Sequence, residues 1–248
     1  MESLEGLKTP FLSLVIPAYN EGRKIHQDLQ AAFSYLDGKG YAYEIIVVDD
    51  GSTDDTASEV RRFQSEHSAV RYVGYGMNRG KGYALKTGIL QAQGEVILFA
   101  DAGNCVPYKD LENGLSLLEK GCDIAIGSRG LDGSRILVPQ PLYRRIGSKC
   151  FSKVVRYLLG IKDIRDTQCG FKLFKRKAAH ELFQMQITEG FMFDVETILN
   201  ARRRGYQIEE FTVNWSNDAD SRFKPFPGTL RQTAQVLRIL WHCRIKKR

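Results

Sequence analysis

The chain has 248 residues, 43% hydrophobic and 26% charged, with 36 Lys and Arg against 29 Asp and Glu, a formal net charge of +7 and a pI of about 9.1. That length and apolar content suit one large globular domain with its own core, and the basic balance suits an anionic partner such as a phosphorylated ligand or an anionic membrane. No aromatic-interleaved basic stripe or zinc-finger spacing points to nucleic acid, and the five scattered cysteines, odd in number and without a C-x-x-C pair, argue for a reducing compartment rather than a disulfide or zinc framework.

Met1 to Pro10 carries no apolar leader, and no apolar run approaches the ~20 residues of a membrane span, so membrane contact is expected to be peripheral. Apolar, β-rich runs then alternate with helical patterns. Strands are expected at Leu12 to Ile16, Glu44 to Val48, Val70 to Val73, Glu95 to Ala100 and Asp123 to Ile126. Helices are expected at Lys24 to Asp37, Asp54 to His67, Tyr83 to Gln93 and Lys109 to Lys120. Strands this continuously apolar suit a parallel sheet buried on both faces, and the alternation reads as a doubly wound α/β fold. Further on, the pattern predicts a basic amphipathic helix over Leu142 to Leu159, a strand at Phe171 to Phe174 and helices at Lys177 to Gln184 and Phe193 to Arg204. A strand over Ile208 to Trp215, a polar loop from Asn217 to Gly228 and a basic terminal helix over Leu230 to Arg244 complete the chain.

The unusual residues sit at strand ends, where open α/β sheets bind ligands. The first strand runs into Pro17-Ala18-Tyr19-Asn20-Glu21 and the second into Asp49-Asp50-Gly51-Ser52-Thr53-Asp54. Later ones run into Asp101-Ala102-Gly103-Asn104 and Gly127-Ser128-Arg129. Converging, they would build a nucleotide site with room for a metal. Each also has a plainer reading as a turn or helix cap. Asn78-Arg79-Gly80-Lys81-Gly82 is either a surface turn or a cationic loop whose glycines let backbone N–H groups approach a diphosphate. It does not match a P-loop, and no G-x-G-x-x-G follows the first strand, which disfavours kinase, NTPase and dehydrogenase readings.

SLVIPAYNE, EIIVVDDGSTDDT, NRGKGYALKTGI, GEVILFADAG and IAIGSR, in this order, resemble glycosyltransferase family 2. IRDTQCGFKLF, FMFDVE and VNW resemble more narrowly the dolichyl-phosphate β-glucosyltransferases and other polyprenyl-phosphate hexosyltransferases. The resemblance implies a GT-A fold, with a mixed, mainly parallel sheet flanked by helices. It implies a catalytic domain over residues 1–229, followed by a basic amphipathic helix over 230–248.

It further implies that Pro17, Tyr19, Glu21, Val48 and Asp50 line the nucleoside. Lys81 stands at the diphosphate, and Asp101, Ala102 and Gly103 meet the donor. Asp101 opens the family's Asp-x-Asp metal motif, for Mg2+ or Mn2+, but the third position here is Gly103. Either Asp101 holds the metal with diphosphate oxygens, waters and Asn104, or Lys and Arg side chains neutralise the leaving group. Arg129, Asp166 and Gln168 are expected beside the reacting atoms. Arg129 and Arg145, with Arg144, are candidates for the acceptor phosphate, and Arg222 or Lys224 for a lid. Arg144 and Arg145 read equally well as a solvated basic face.

The implied reaction moves a hexose from UDP-glucose or GDP-mannose to a polyprenyl phosphate with inversion, at the cytoplasmic face of a membrane. The competing readings are a glycan hydroxyl acceptor, with Asp166 or Asp194 as base, and an inactive nucleotide-sugar binder.

Overall fold

The structure is a computed structural model, and it describes residues 9–139, 141, 147, 153–218, 235–236 and 238–239. The first part alternates β1 (Leu12–Ala18), α1 (Ile25–Asp37), β2 (Tyr43–Asp49), α2 (Thr56–Glu66), β3 (Val70–Gly74), α3 (Lys81–Ile89) and β4 (Val96–Ala100). A 3-10 turn at Tyr108–Asp110, α4 (Leu111–Glu119), β5 (Ile124–Ser128) and β6 (Arg135–Val138) follow. After them come a helix α5 over 153–159, β7 (Phe171–Lys175), α6 (Arg176–Met185), α7 (Phe193–Arg203), β8 (Ile208–Thr212) and β9 (Asn214–Ser216).

Seven strands form one sheet in the order β3-β2-β1-β4-β7-β5-β8, with β7 antiparallel to both β4 and β5 and every other pair parallel. The expected mixed, mainly parallel sheet is therefore the one observed. The continuous apolar runs have a direct cause. In β2, Ile45 and Val47 enter the core beneath α1, α2 and α4, while Ile46 and Val48 enter a second core beneath α3, α6 and α7. Alternate side chains leave opposite faces of a strand, so a sheet covered on both sides needs every position apolar. Each fully buried side chain of this size contributes about 1.5–3 kcal/mol.

One expectation needs correction. The run from Ile208 to Trp215 is two strands in two sheets. β8 pairs with β5, whereas β9 pairs with β6, an exposed strand that carries no apolar alternation and was not expected. The chain breaks at buried Val213, which donates its N–H to Ser134 Oγ (3.1 Å) and accepts from Arg135 N–H (3.0 Å). Asp110 accepts from both Asn214 N–H (2.6 Å) and Asn214 Nδ2 (3.0 Å), which fixes the new direction.

Within the expected helix over 142–159 the described residues, 147 and 153–159, are helical; Val155 and Leu159 pack on the second core and Val154, Tyr157 and Leu158 face out. Of the terminal segment, the described residues 235–236 and 238–239 are helical, and Val236 and Ile239 belong to the second core. The basic end of the chain, the boundary at 229/230, Arg144, Arg145, Arg222 and Lys224 lie outside the described residues.

Candidate active site

The carboxyl ends of β1, β2, β4 and β5 bring the four motif loops to one edge of the sheet. The loops after β1 and β2 clamp each other. Asn20 N–H donates to Ser52 Oγ (2.8 Å), Thr53 N–H to Asn20 Oδ1 (2.8 Å), Glu21 N–H to Thr56 Oγ1 (2.8 Å) and Gly22 N–H to Asp54 Oδ2 (3.1 Å). Pro17 is half-buried within β1, and Tyr19 and Glu21 follow at its end, Tyr19 exposed and Glu21 paired with Lys24. Val48 is wholly buried among core side chains, so its side chain does not line a nucleoside cleft.

Asp50 has a more specific task than the sequence suggested. Its carboxylate accepts from Tyr75 OH (2.7 Å), Asn78 Nδ2 (2.9 Å), Arg79 N–H (2.8 Å) and Gly80 N–H (2.8 Å). A carboxylate has about four acceptor sites, and the loop before α3 fills them. The N–H groups of Arg79 and Gly80 thus point at Asp50. The glycines of that loop serve packing: a Cβ on Gly80 would lie 2.7 Å from the Glu189 carbonyl, and one on Gly82 would lie 2.6 Å from the Thr188 carbonyl. The loop so fixed delivers Lys81, whose Nζ meets Asp101 Oδ1 at 2.5 Å. Burial acts to lower the Lys81 pKa, but Asp101 and Asp194 outweigh it and hold the ammonium charged.

Asp101 itself sits in a space that Gly170 leaves open. Its N–H donates to the Gly170 carbonyl (2.9 Å), and a Cβ on Gly170 would fall 2.0 Å from Asp101 Oδ2. Ala102 and Gly103 follow, half-buried, and Gly103 N–H donates to Asp28 Oδ2 (2.5 Å). Asn104 is exposed. Among the described residues no three His, Cys, Asp or Glu side chains converge as a ligand set, so Asp101 lacks the carboxylate partners a closed metal site would show.

At the end of β5, Arg129 is locked to Asp166. Nε donates to Oδ2 (2.6 Å), Nη2 to Oδ1 (3.0 Å) and the Arg129 N–H to Oδ2 (3.1 Å). The guanidinium lies 5.2 Å from the Trp215 ring centroid. Burial would raise the Asp166 carboxyl, but the Arg129 charge and hydrogen bonds from Arg129 and Gln168 N–H (3.2 Å) overcome it and hold the pKa below its ordinary value. Glu210 on β8 fixes the segment by accepting from Arg165 N–H (2.8 Å) and Asp166 N–H (2.9 Å). Asp194 is buried against Lys172, which also donates to the Thr167 carbonyl (2.9 Å).

The structure therefore brings Lys81 to Asp101 and Arg129 to Asp166. Gln168 contributes its backbone N–H to the second pair. Tyr75 and Gly170 escaped the sequence reading, and Asn78 entered it only as part of the loop Asn78 to Gly82, not as a partner of Asp50. The only signal for Gly170 was its place inside the DTQCGF segment. A concavity of 410 Å³ lined by Phe33, Tyr41, Tyr43 and His67 opens at the other edge of the sheet, away from these residues.

The model of the family described as "Glycosyl transferase family 2" matches residues 13–183, the span that carries all of these loops up to α6. The chain belongs to glycosyl transferase family 2. Within the family it is similar to the dolichyl-phosphate β-glucosyltransferase of Saccharomyces cerevisiae, at 37% identity over 83% of this chain and 66% of that protein. The proteins of the same description from Dictyostelium discoideum (34% identity, 96% of this chain, 76% of that one) and human (36%, 92% and 74%) are similarly related.

The fold is the GT-A fold of solved glycosyltransferases. The structure of glucosyl-3-phosphoglycerate synthase from Mycobacterium tuberculosis in complex with Mn2+, UDP and phosphoglyceric acid aligns with a TM-score of 0.66 at 21% identity, over 93% of this chain and 77% of that one. The mannosyltransferase PcManGT from Pyrobaculum calidifontis in complex with GDP-Man and Mn2+ aligns with a TM-score of 0.64 at 22% identity, over 97% and 65%. This family 2 chain is thus a glycosyltransferase whose motif loops stand at one sheet edge.

Proposed function

We propose that the protein moves glucose from UDP-glucose to a dolichyl-type polyprenyl phosphate, with inversion at the anomeric carbon. The curated relatives support the acceptor and the sugar, and one observation of this molecule supports the chemistry: its site carboxylates are already committed to cations. Asp166 is held ionised by Arg129 and Asp194 is sealed against Lys172, so neither is poised to deprotonate a sugar hydroxyl. A phosphate monoester needs no such base, because its second pKa is about 6 and it is mostly dianionic at neutral pH.

An oxygen of the lipid phosphate attacks the anomeric carbon from the face opposite the leaving group. The bond from that carbon to the diphosphate oxygen breaks as the new carbon–oxygen bond to the lipid phosphate forms, and UDP departs. The protein brings two anions together, so its task is positioning and charge. Arg129 has five N–H donors. Asp166 takes two of them through the side chain, which leaves three in a fixed plane for the acceptor phosphate. Lys81, presented at the start of α3, faces the donor diphosphate. Asp50 acts through the loop that carries Lys81 and is a positioning residue.

A divalent cation suits the residues present, since Asp101 offers hard carboxylate oxygens in the space that Gly170 opens, with Lys81 as its present cationic partner. Mg2+ or Mn2+ held by Asp101 would supply charge neutralisation to the leaving diphosphate.

Among the described residues no helix is long and apolar enough to cross a membrane. Val154, Tyr157 and Leu158 on α5 are 56%, 68% and 55% exposed, on a helix that also carries Lys153 and Arg156. This apolar face within a basic segment supports peripheral docking on an anionic cytoplasmic membrane surface, where the lipid acceptor resides.

The test is transfer of radiolabelled sugar from UDP-glucose, with GDP-mannose in parallel, into organic-extractable dolichyl phosphate in detergent, with and without EDTA. Labelled lipid from UDP-glucose is expected. Folded, UDP-binding protein that labels no lipid from either donor overturns the proposal.

A further inference from the structure

Gly103 stands where the family motif carries its second carboxylate, and its surroundings contain one from elsewhere in the chain. A Cβ on Gly103 would lie 3.0 Å from Asp218 Oδ2 and 3.2 Å from Asp218 Cγ. The Asp218 carboxylate therefore borders the space into which a side chain at position 103 would project. Gly103 also has φ +97°, a conformation that side-chain-bearing residues rarely adopt, so this loop is shaped for glycine.

Four contacts hold the arrangement in place. Ser216 N–H donates to the Cys105 carbonyl (2.8 Å), which ties the end of β9 to the loop after β4. Gly103 N–H is held by Asp28. Lys24 pairs with Asp218 and, at 3.0 Å, with Glu21. Asp218 and Asp101 thus flank the same loop, each with a lysine on its carboxylate, Lys24 on one and Lys81 on the other. Two carboxylates neutralised by two ammonium groups carry the charge complement of one divalent cation.

We propose that Asp218 supplies the carboxylate that position 103 lacks, so that Asp101 and Asp218 together hold the divalent cation of the nucleotide diphosphate. Diphosphate oxygens and water complete its coordination, as hard oxygen ligands suit Mg2+ and Mn2+. Lys24 and Lys81 are the counter-charges when the ion is away. The inference rests on the nucleotide-sugar reading above. It makes the motif split between two distant segments rather than degenerate, and it ties metal affinity to the chain beyond β9.

The test is titration of the full chain with Mn2+ in the presence of UDP, with free Mn2+ read by electron paramagnetic resonance. UDP binding in EDTA is measured separately by calorimetry. Asp218→Asn keeps the side chain's shape and an acceptor for Lys24, so the fold is not at risk, and it should weaken Mn2+ by at least about ten-fold. Asp101→Asn should do the same. Lys24→Met should leave Mn2+ affinity unchanged or tighten it, because it removes a competing cation.

Wild-type Mn2+ affinity in D218N overturns the proposal. So does a loss in K24M equal to that in D218N, which would make Asp218 merely the partner of Lys24. Wild-type protein that binds UDP without taking up Mn2+ overturns it too, and leaves the donor reading standing. Failure to bind UDP at any Mn2+ concentration overturns the donor reading, and the proposal with it.

Discussion

The two halves of the catalytic edge are built by different means. Around β1, β2 and α3 the loops are shaped largely by backbone N–H groups: two of them, with two neutral side-chain donors, saturate Asp50, and others bind Asn20, Asp54 and Thr56 to lace the loops after β1 and β2 together. Around β5, β7 and β8 the edge is shaped by paired charges, Arg129 with Asp166 and Lys172 with Asp194, drawn from segments far apart in sequence. A surface whose polar groups are already satisfied recognises a ligand by shape. A surface that keeps a guanidinium half-used recognises it by charge. The first suits a nucleoside and the second suits the meeting of two phosphates.

The largest effect should come from the charged half. Arg129→Ala removes the free donors and leaves Asp166 unpaired, and should lower kcat by about 10²–10³. UDP affinity, measured by calorimetry, should stay within a few fold of wild type. A loss confined to UDP binding would erase the distinction between the halves. Arg129→Lys should not rescue, because an ammonium lacks the planar fork that Asp166 holds.

Gly170→Ala tests where the halves meet. The added Cβ would sit 2.0 Å from Asp101 Oδ2, so the carboxylate must move. A displacement of this size should cost about 10²-fold in kcat/KM. The melting temperature should fall only slightly, since Gly170 has no positive φ. Unchanged transfer by the variant would remove Asp101 from the mechanism.

In the backbone-shaped half, Asp50→Asn turns one acceptor into a donor facing N–H groups. It should cost about 2–3 kcal/mol of stability by urea unfolding, and it should weaken UDP while kcat at saturation stays near wild type. A kcat collapse instead would give Asp50 a direct chemical role.

The smallest effect concerns Asp28. Burial raises its pKa from 3.8 to about 6, although the Gly103 N–H and Lys24 pull it down. The folded protein therefore holds a proton here that the unfolded chain releases. The stability this contributes is full below pH 3.8 and is lost as pH rises through about 6. Asp28→Asn keeps an acceptor for Gly103 and removes the titration. In EDTA, wild type should lose about 2 kcal/mol relative to the variant between pH 4 and 7. Parallel curves would show that Asp28 stays ionised throughout.

The sequence by itself determined the α/β alternation and the loops at the strand ends. Both are local properties: EIIVV must be buried on two faces wherever it lies, and Asp-Asp-Gly-Ser must follow it. Motif order likewise carried the family. It could not divide Ile208 to Trp215 between two sheets, because the division depends on Ser134 and Asp110 meeting Val213 and Asn214 from about eighty to a hundred residues away. Nor could it show that Asp50 is consumed by the loop before α3, or that Gly170 makes room for Asp101. Only the tertiary structure decided these, and it alone set Asp218 beside Gly103. Hydrogen bonds, ion pairs and close approaches between distant segments leave no periodicity in the chain; they exist only once the sheet has brought its strand ends together.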